Sequence, residues 1–248
     1  INVKTIFSIL TLSAIALLNF STPSQAQSFN EEQKAELQKM FNEYLMNNGE
    51  LILESVTNFQ NKQLAEQQKE TNEKAAGFMA DIKKDSSLPM TGNKDGDITV
   101  VEFFDYNCGY CRKALTEINK LLEADKNVKI VFIDMPILGP QSQVAAQWSL
   151  AAEKQGKYFE YHKEIMNLNG PKNAENLKKI AKKIGLNVKQ LEKDKDSDDV
   201  KNMISANLEK ARNLNIQGTP AFIIENKVAR GYISADQMQK MIADIRKK

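Results

Sequence analysis

Cysteine is scarce in this sequence, because 248 residues contain only Cys108 and Cys111. Histidine is scarcer still, since His162 is the single residue of that type. A structural zinc site normally needs four ligands, and these three side chains, with His162 far away in sequence, are too few. We therefore expect no metal, and no cofactor. A purely structural disulfide is also disfavoured, because a bridge across a three-residue spacing restricts the unfolded chain very little.

Net charge of one sign is nearly absent as well. The chain has 34 lysines and arginines against 32 aspartates and glutamates, which gives a formal net charge of +2. The two signs are interspersed along the chain, so the charge pattern gives no indication of nucleic-acid binding or of a role at a membrane surface. The length of 248 residues is sufficient for one large domain or two smaller ones.

A hydrophobic run long enough to span a bilayer is missing too. The longest apolar stretch, residues 6–18, is shorter than the roughly 20 residues that a transmembrane helix needs. Lys4 precedes it, and the small-residue ending Ser24-Gln25-Ala26 follows it. This layout predicts a signal peptide over residues 1–26, cleaved after Ala26, and export to the periplasm. An exported chain reaches a compartment in which disulfides form and persist.

Residues 27–90 are predicted to form an N-terminal helical extension. Apolar residues recur at helical spacing around Leu37, Phe41 and Tyr44, and residues 47–49 break the helix before a second one. Residues 60–74 are almost entirely polar, which favours either a solvated spacer helix or an oligomerisation stalk. Residues 90–96 are expected to break the structure and to mark a domain boundary.

Residues 91–248 are predicted to form an α/β domain. A strand over 98–104, a helix over 114–124 and a strand over 128–133 make a β-α-β unit with parallel strands. Four helices are predicted next, over 142–155, 158–168, 173–184 and 198–214, and most of this part is a helical insertion at about 139–208, where His162 and Trp148 are expected to pack in the core. Strands over 221–224 and 228–232 and a helix over 235–246, which Ser234 and Gln237 begin with a capping box, complete the domain.

The cysteine pair lies where a strand meets a helix. A helix that begins here places free backbone N–H groups and the positive end of its dipole near Cys108, which favours the thiolate. Arg112 and Lys113 add positive charge, whereas Asp105 opposes it. The spacing lets Cys111 attack a mixed disulfide at Cys108, so the pair is typical of a thiol–disulfide reagent.

A second short motif, Gly218-Thr219-Pro220, stands directly before the strand over 221–224. Proline is tolerated at the first residue of a strand. A tight approach at this point favours a cis Thr219–Pro220 bond, although trans is the ordinary form.

Residues 97–248 resemble the thioredoxin superfamily and, within it, the exported DsbA-like disulfide oxidoreductases. The resemblance rests on Glu102-Phe103-Phe104-Asp105-Tyr106, on Cys108-Gly109-Tyr110-Cys111 and on Gly218-Thr219-Pro220. It implies a thioredoxin fold with a helical insertion, preceded by the N-terminal helical extension. It also implies that Cys108 attacks, that Cys111 resolves, that Glu102 moves a proton to or from the resolving thiol, and that the loop with Thr219 and Pro220 binds substrate polypeptide.

Two features depart from the strong oxidase of this family. Gly109 and Tyr110 replace the Pro-His pair between the cysteines, which removes the imidazole that helps to stabilise the thiolate and changes the redox tuning. Threonine before the proline is more typical of isomerases such as DsbC, which are oligomers.

The function predicted from these features is an exported thiol-disulfide oxidoreductase that forms or rearranges disulfides in other exported proteins. An oligomeric isomerase or reductase, kept reduced by a membrane partner, is the alternative, followed by a non-catalytic surface protein on a thioredoxin scaffold. Expected partners are exported proteins with cysteines, a membrane redox partner for recycling and, through the N-terminal helices, further copies of this chain. No nucleic acid is expected.

Overall fold

The computed structural model describes residues 29–247. The predicted signal peptide, residues 1–26, lies outside the described residues. The chain divides into two units, one up to Phe59 and one from Gln60 onward, and each is described by itself. Between residues 29 and 247, no helix combines the length and the apolar character that a membrane span requires.

The first unit contains helix α1 (Glu31–Asn47) and the beginning of helix α2 (Gly49–Lys84). Asn30 and Gln33 form a capping box at the start of α1, and Asn48 ends it. The break between the helices therefore falls where the sequence predicted it. Among the residues that the structure describes, none of those in α1 is buried. Large apolar side chains are exposed on this unit, among them Leu37, Met40, Phe41, Tyr44, Ile52 and Phe59.

The second unit is built around a mixed sheet that takes five strands from the described residues: β1 (Met90–Gly92), β2 (Ile98–Phe104), β3 (Val128–Asp134), β4 (Ala221–Ile224) and β5 (Lys227–Arg230). Their order is β1-β3-β2-β4-β5. Strands β2 and β3 are parallel, and the other neighbours are antiparallel. The predicted β-α-β and β-β-α halves therefore both form, with β2 in the centre of the sheet.

The segment that was expected only to break the structure contains strand β1. Met90 pairs with Val131, and Gly92 pairs with Lys129. The expectation of a simple break was wrong here, because three residues that include a glycine carry no strand periodicity of their own. Gly92 has φ +82°, and a Cβ at this position would lie 2.5 Å from the Val128 carbonyl oxygen. Glycine is therefore required where β1 turns away from β3.

Helices cover both faces of the sheet. On one face, Val100 and Phe104 of β2 pack in a core that includes residues of α3 (Gly109–Ala124) and α9 (Ala235–Arg246). On the other face, Val101 and Phe103 pack with Ala75, Met79 and Ile82 of α2, whose spacing is that of one helical stripe. Burying a side chain of the size of Met79 or Ile82 stabilises the folded state by about 1.5–3 kcal/mol. The second half of α2 is thus part of the sheet's core.

Five more helices connect β3 to β4 within the described chain, and they pack in the same core as α3. They are α4 (Pro140–Glu153), α5 (Tyr158–Asn167), α6 (Ala174–Lys183), α7 (Val188–Asp194) and α8 (Asp198–Asn213). Helix α7 was not predicted, because its seven residues bury only Leu191 and show too short a pattern to recognise. Trp148 and His162 are buried, as expected. Ser234 and Gln237 form the predicted capping box of α9.

Candidate active site

Cys108 is the residue that caps the N-terminus of α3. Strand β2 ends at Phe104, a short turn follows, and the first residue of the helix is Gly109. The Cys108 Sγ accepts a hydrogen bond from the Cys111 N–H at 3.3 Å. This N–H is one of the groups that the first turn of a helix leaves without an internal partner. The predicted strand-to-helix junction is therefore present, and it provides a donor to the sulfur.

The two thiols have opposite properties. Hydrogen bonding from the Cys111 side chain is the largest cause that lowers the pKa of Cys108 to about 6, and it outweighs burial, which acts in the other direction. Burial is the largest cause that raises the pKa of Cys111 far above its ordinary value, followed by its hydrogen bond to Cys108. Cys108 is therefore mostly thiolate at neutral pH, whereas Cys111, which is fully buried, is a thiol.

Glu102 lies under the cysteine pair in the middle of β2. Its neighbours across the sheet are Phe132 on β3 and Phe222 on β4, so the carboxyl is surrounded by apolar side chains. Among the described residues, neither of its carboxylate oxygens has a hydrogen-bond partner. Burial, and then the negative charge of Cys108, raise the pKa of Glu102 well above its ordinary range. The charge of Glu102 in turn contributes to the raised pKa of Cys111, which indicates that the two side chains are close.

The proline loop reaches the same sulfur from the opposite direction. The Thr219–Pro220 bond is cis. In its thiol form, Cys108 donates to the Thr219 carbonyl oxygen, with 3.2 Å between Sγ and O. The Gly231 N–H donates to the Pro220 carbonyl at 2.9 Å, which connects the loop to the residue that follows β5. Cys108 thus lies between the N-terminus of α3 and backbone atoms of the proline loop.

The residues between the cysteines face solvent. Gly109 and Tyr110 are both exposed, and the Tyr110 ring lies 6.4 Å from the Tyr232 ring, centroid to centroid. The Lys113 ammonium lies 5.0 Å from the centroid of the Tyr110 ring. A cation over an aromatic face is attractive. The Tyr110 ring and the Lys113 ammonium therefore lie together on the exposed surface beside the cysteine pair.

Asp105 has a structural role in the site. From the sequence it was expected only to oppose the positive charges of Arg112 and Lys113 near Cys108. Its buried carboxylate accepts hydrogen bonds at 2.7–2.9 Å from the Asn107, Ile137 and Leu138 N–H groups and from the Ser142 hydroxyl. Its carbonyl accepts from the Cys108 N–H at 3.1 Å. Asp105 therefore ties the turn that carries Cys108 to the loop before α4. Its position directly after a buried strand was the available signal.

Asp134 is another buried acid near the site, and the sequence did not predict a role for it. Its Oδ2 accepts from the Tyr158 hydroxyl at 2.7 Å, and its Oδ1 has no partner within the described residues. Burial raises the pKa of Asp134 to about 8. Close by, the Tyr106 hydroxyl contacts the Ser149 hydroxyl and His162 Nδ1. Burial lowers the pKa of His162 to about 3, so this imidazole is neutral.

Comparison with known proteins assigns the chain to a family. The family described as DSBA-like thioredoxin domain matches residues 99–243. The probable disulfide bond formation protein D of Bacillus cereus is 31% identical over 171 residues, which cover 63% of this chain and 78% of that protein.

Two solved structures are also similar. A thioredoxin-like oxidoreductase from Silicibacter pomeroyi DSS-3 shares 40% identity at a TM-score of 0.65 and covers 67% of this chain and 96% of that one. Proteus mirabilis ScsC in a transitional conformation shares 26% identity at a TM-score of 0.63 and covers 88% of this chain and 96% of that one. The predicted α/β fold of thioredoxin type, preceded by helices, is thereby confirmed. The family match, the relative and the structures together show that the chain belongs to the DsbA-like thioredoxin domain family and is a thiol-disulfide oxidoreductase.

Proposed function

We propose that this protein is exported to the periplasm and forms or rearranges disulfides in other exported proteins through Cys108 and Cys111. The observation that carries the proposal is the asymmetry of the pair, a lowered pKa at Cys108 and a raised pKa at the fully buried Cys111. Such a pair attacks with one sulfur and resolves with the other. The similarity to the Bacillus cereus relative, a probable disulfide bond formation protein, supports the same role.

In the oxidising direction, a substrate thiolate attacks Cys108 Sγ of the Cys108–Cys111 disulfide. The sulfur–sulfur bond breaks, the electron pair goes to Cys111, and a mixed disulfide forms between Cys108 and the substrate. Glu102 supplies the proton that the buried Cys111 needs. A second substrate thiolate then attacks the mixed disulfide, which oxidises the substrate and releases Cys108 as a thiolate.

In the reducing or isomerising direction, the Cys108 thiolate attacks a substrate disulfide, and Cys111 must lose its proton to resolve the mixed disulfide. Glu102 is the nearby acceptor. The charge of Cys108, which raises the pKa of Glu102 in the reduced pair, is absent once Cys108 is bound to the substrate. The pKa of Glu102 then falls, so the carboxyl loses its own proton more readily and its carboxylate form is available to accept the proton of Cys111.

The proline loop is the proposed contact for substrate polypeptide. Thr219 and Pro220 place backbone atoms beside Cys108, and an extended substrate segment pairs with such a backbone. Gly109 and Tyr110, exposed between the cysteines, are the proposed residues that tune the redox potential.

The direction of the reaction is tested with a scrambled-disulfide substrate. The full chain and its Cys108→Ser variant are compared for recovery of the substrate's activity. Recovery that depends on Cys108 indicates an isomerase. Fast oxidation of a reduced substrate without unscrambling indicates an oxidase.

The non-catalytic alternative is tested by alkylation of the reduced chain. A pKa of about 6 predicts that Cys108 reacts well below pH 8 and that the rate rises through pH 6. Reaction only near pH 9, together with equal activity of wild type and Cys108→Ser, would support a surface protein on an inert thioredoxin scaffold.

The N-terminal helices are proposed to assemble several copies of this chain. The support is the row of large apolar side chains exposed on α1 and at the start of α2, because such surfaces seek partners. The match to Proteus mirabilis ScsC in a transitional conformation covers 88% of this chain, whereas the match to its catalytic domain covers 71%. That protein therefore has a segment that matches residues outside the catalytic region.

A further inference from the structure

Two cations, Arg112 on the active-site helix and Lys172 in the loop between α5 and α6, take no part in the proposed thiol chemistry. Arg112 lies four residues after Cys108, one helical turn further along α3. The side chains of Cys108 and Arg112 therefore project from the same side of the helix. The Arg112 guanidinium donates to the Leu168 carbonyl at 3.3 Å. This hydrogen bond brings the loop between α5 and α6, which carries Lys172, to the active-site helix.

Lys172 is held in that loop and is almost fully covered, with 4% of its surface exposed. Its backbone N–H donates to the Gln141 side chain at 2.8 Å, in the first turn of α4. The next residue of that turn, Ser142, donates to the Asp105 carboxylate and accepts from Asn107. Lys172 is thus part of the same set of contacts that fixes the turn before Cys108.

The charges of this pair are not balanced by a dedicated acid. Within residues 29–247, neither Arg112 nor Lys172 forms an ion pair, and the Lys172 ammonium has no hydrogen-bond acceptor. Burial, and then the charge of Arg112, lower the pKa of Lys172, whereas Asp105 opposes the shift. The Asp105 oxygens already accept four hydrogen bonds. Most of the Lys172 side chain is covered, but its ammonium is not one of the fully buried nitrogens without a partner, so it reaches the surface, where an anion can pair with it.

We propose that Arg112 and Lys172 form a carboxylate-binding subsite beside Cys108, which favours substrate polypeptides with Asp or Glu next to the reacting cysteine. This inference rests on the proposed function, because the subsite acts on substrates of Cys108. A guanidinium matches the two oxygens of a carboxylate, and an ammonium adds a point charge. The carboxylate of a substrate side chain would supply the missing anion.

The test uses two cysteine peptides that differ only in Glu or Gln next to the cysteine, each activated as a pyridyl disulfide. The Cys108 thiolate of the reduced full chain attacks the peptide sulfur, a Cys108–peptide disulfide forms, and pyridinethione leaves with the electron pair of the broken bond. Its release is followed at low ionic strength. The ratio of the two rates is the readout, because any change in the pKa of Cys108 affects both peptides equally.

We expect the Glu peptide to react about fivefold faster than the Gln peptide, which is the size of a single partly exposed ion pair. Lys172→Gln and Arg112→Gln should each bring the ratio close to one, and Lys172→Arg should keep it. Lys179→Gln is the matched control, because Lys179 is exposed on α6 and pairs with Glu175. Added salt should reduce the ratio in the wild type.

A wild-type ratio of one, or a ratio that both glutamine variants leave unchanged, would overturn the subsite and leave the proposed function intact. Release from neither peptide would overturn the proposed function, and the subsite with it. Arg112 is exposed, so Arg112→Gln provides the result if Lys172→Gln fails to fold.

Discussion

At the residue scale, the buried carboxyl of Glu102 is the group that we propose exchanges a proton with Cys111. Its oxygens have no protein partner in the described chain, and it lies close enough to both cysteines for their charges to interact. An unpartnered acid in an apolar core is costly for stability, which suggests that its proton is used.

Glu102→Gln should slow the resolving attack of Cys111 on a mixed disulfide by about tenfold or more, because the proton acceptor is lost. The first attack by Cys108 should change little. Single-turnover kinetics with a peptide disulfide separate the two steps, and Glu123→Gln, an exposed position on α3, is the control. Equal slowing of both steps would contradict a role in proton transfer.

Asp134 should make the folded state less stable as the pH rises. Its carboxyl ionises from its ordinary pKa of 3.8 in the unfolded chain but only at about 8 in the folded chain. Between these values the unfolded state binds fewer protons, so the free energy of unfolding falls with pH.

Between pH 4 and pH 8 this group lowers the free energy of unfolding of the wild type by up to about 5 kcal/mol, and Asp134→Asn should remove that contribution and flatten the dependence. Urea unfolding measures it. The Cys108→Ser background is preferable, because the lowered pKa of Cys108 adds stability between about pH 6 and 9, with the opposite sign. The same slope in both chains would contradict the assignment.

The sequence indicated Cys108, Cys111 and Glu102 because each breaks a local pattern: two cysteines three apart and an acid inside an apolar run. Asp105 and Asp134 gave weaker signals. Both stand at the ends of strands, where an acid is unremarkable, and their partners come from α4 and α5, far away in sequence. Only the tertiary structure shows that they are buried.

At the scale of elements, helix α2 combines a polar, exposed stretch with a stripe that packs under the sheet. Its composition alone predicted a helix, and residues 60–74 suggested a solvated one. The three residues that pack, Ala75, Met79 and Ile82, are too few for the sequence to reveal that the end of the helix belongs to the core. Strand β1 was missed for a similar reason, since β3 supplies its partners.

Met79→Ala should destabilise the protein by about 2–4 kcal/mol, because Met79 is 3% exposed against the sheet. Leu64→Ala, a truncation on the same helix at a side chain that is 62% exposed, should change stability by less than about 0.5 kcal/mol. Denaturant unfolding of the two variants gives the comparison. Equal effects would contradict the packing of α2 on this face.

At the scale of the whole molecule, the proposed assembly depends on residues before Gln60. A truncation that tests it should keep the chain from residue 60 onward, because removing residues up to 90 would also remove Met79 and Ile82 from the core.

The full chain should have a molar mass in solution of more than one copy, and the chain that begins at residue 60 should be monomeric with a similar unfolding temperature. Light scattering after size-exclusion chromatography measures the mass. Phe41→Glu, at an apolar residue that is 64% exposed, should dissociate the full chain without truncation. A monomeric full chain at micromolar concentration would contradict the assembly.

The two outer strands of the sheet limit how readily another polypeptide can pair with this protein. Strand β1 is three residues long, and β5 is four residues long with a cation at each end, Lys227 and Arg230. Short, charged edges offer few unpaired amides on which another chain could add a strand. If incompletely folded chains bind at Cys108, as we propose, the protein can release them without recruiting them into its own sheet, which guards against co-aggregation.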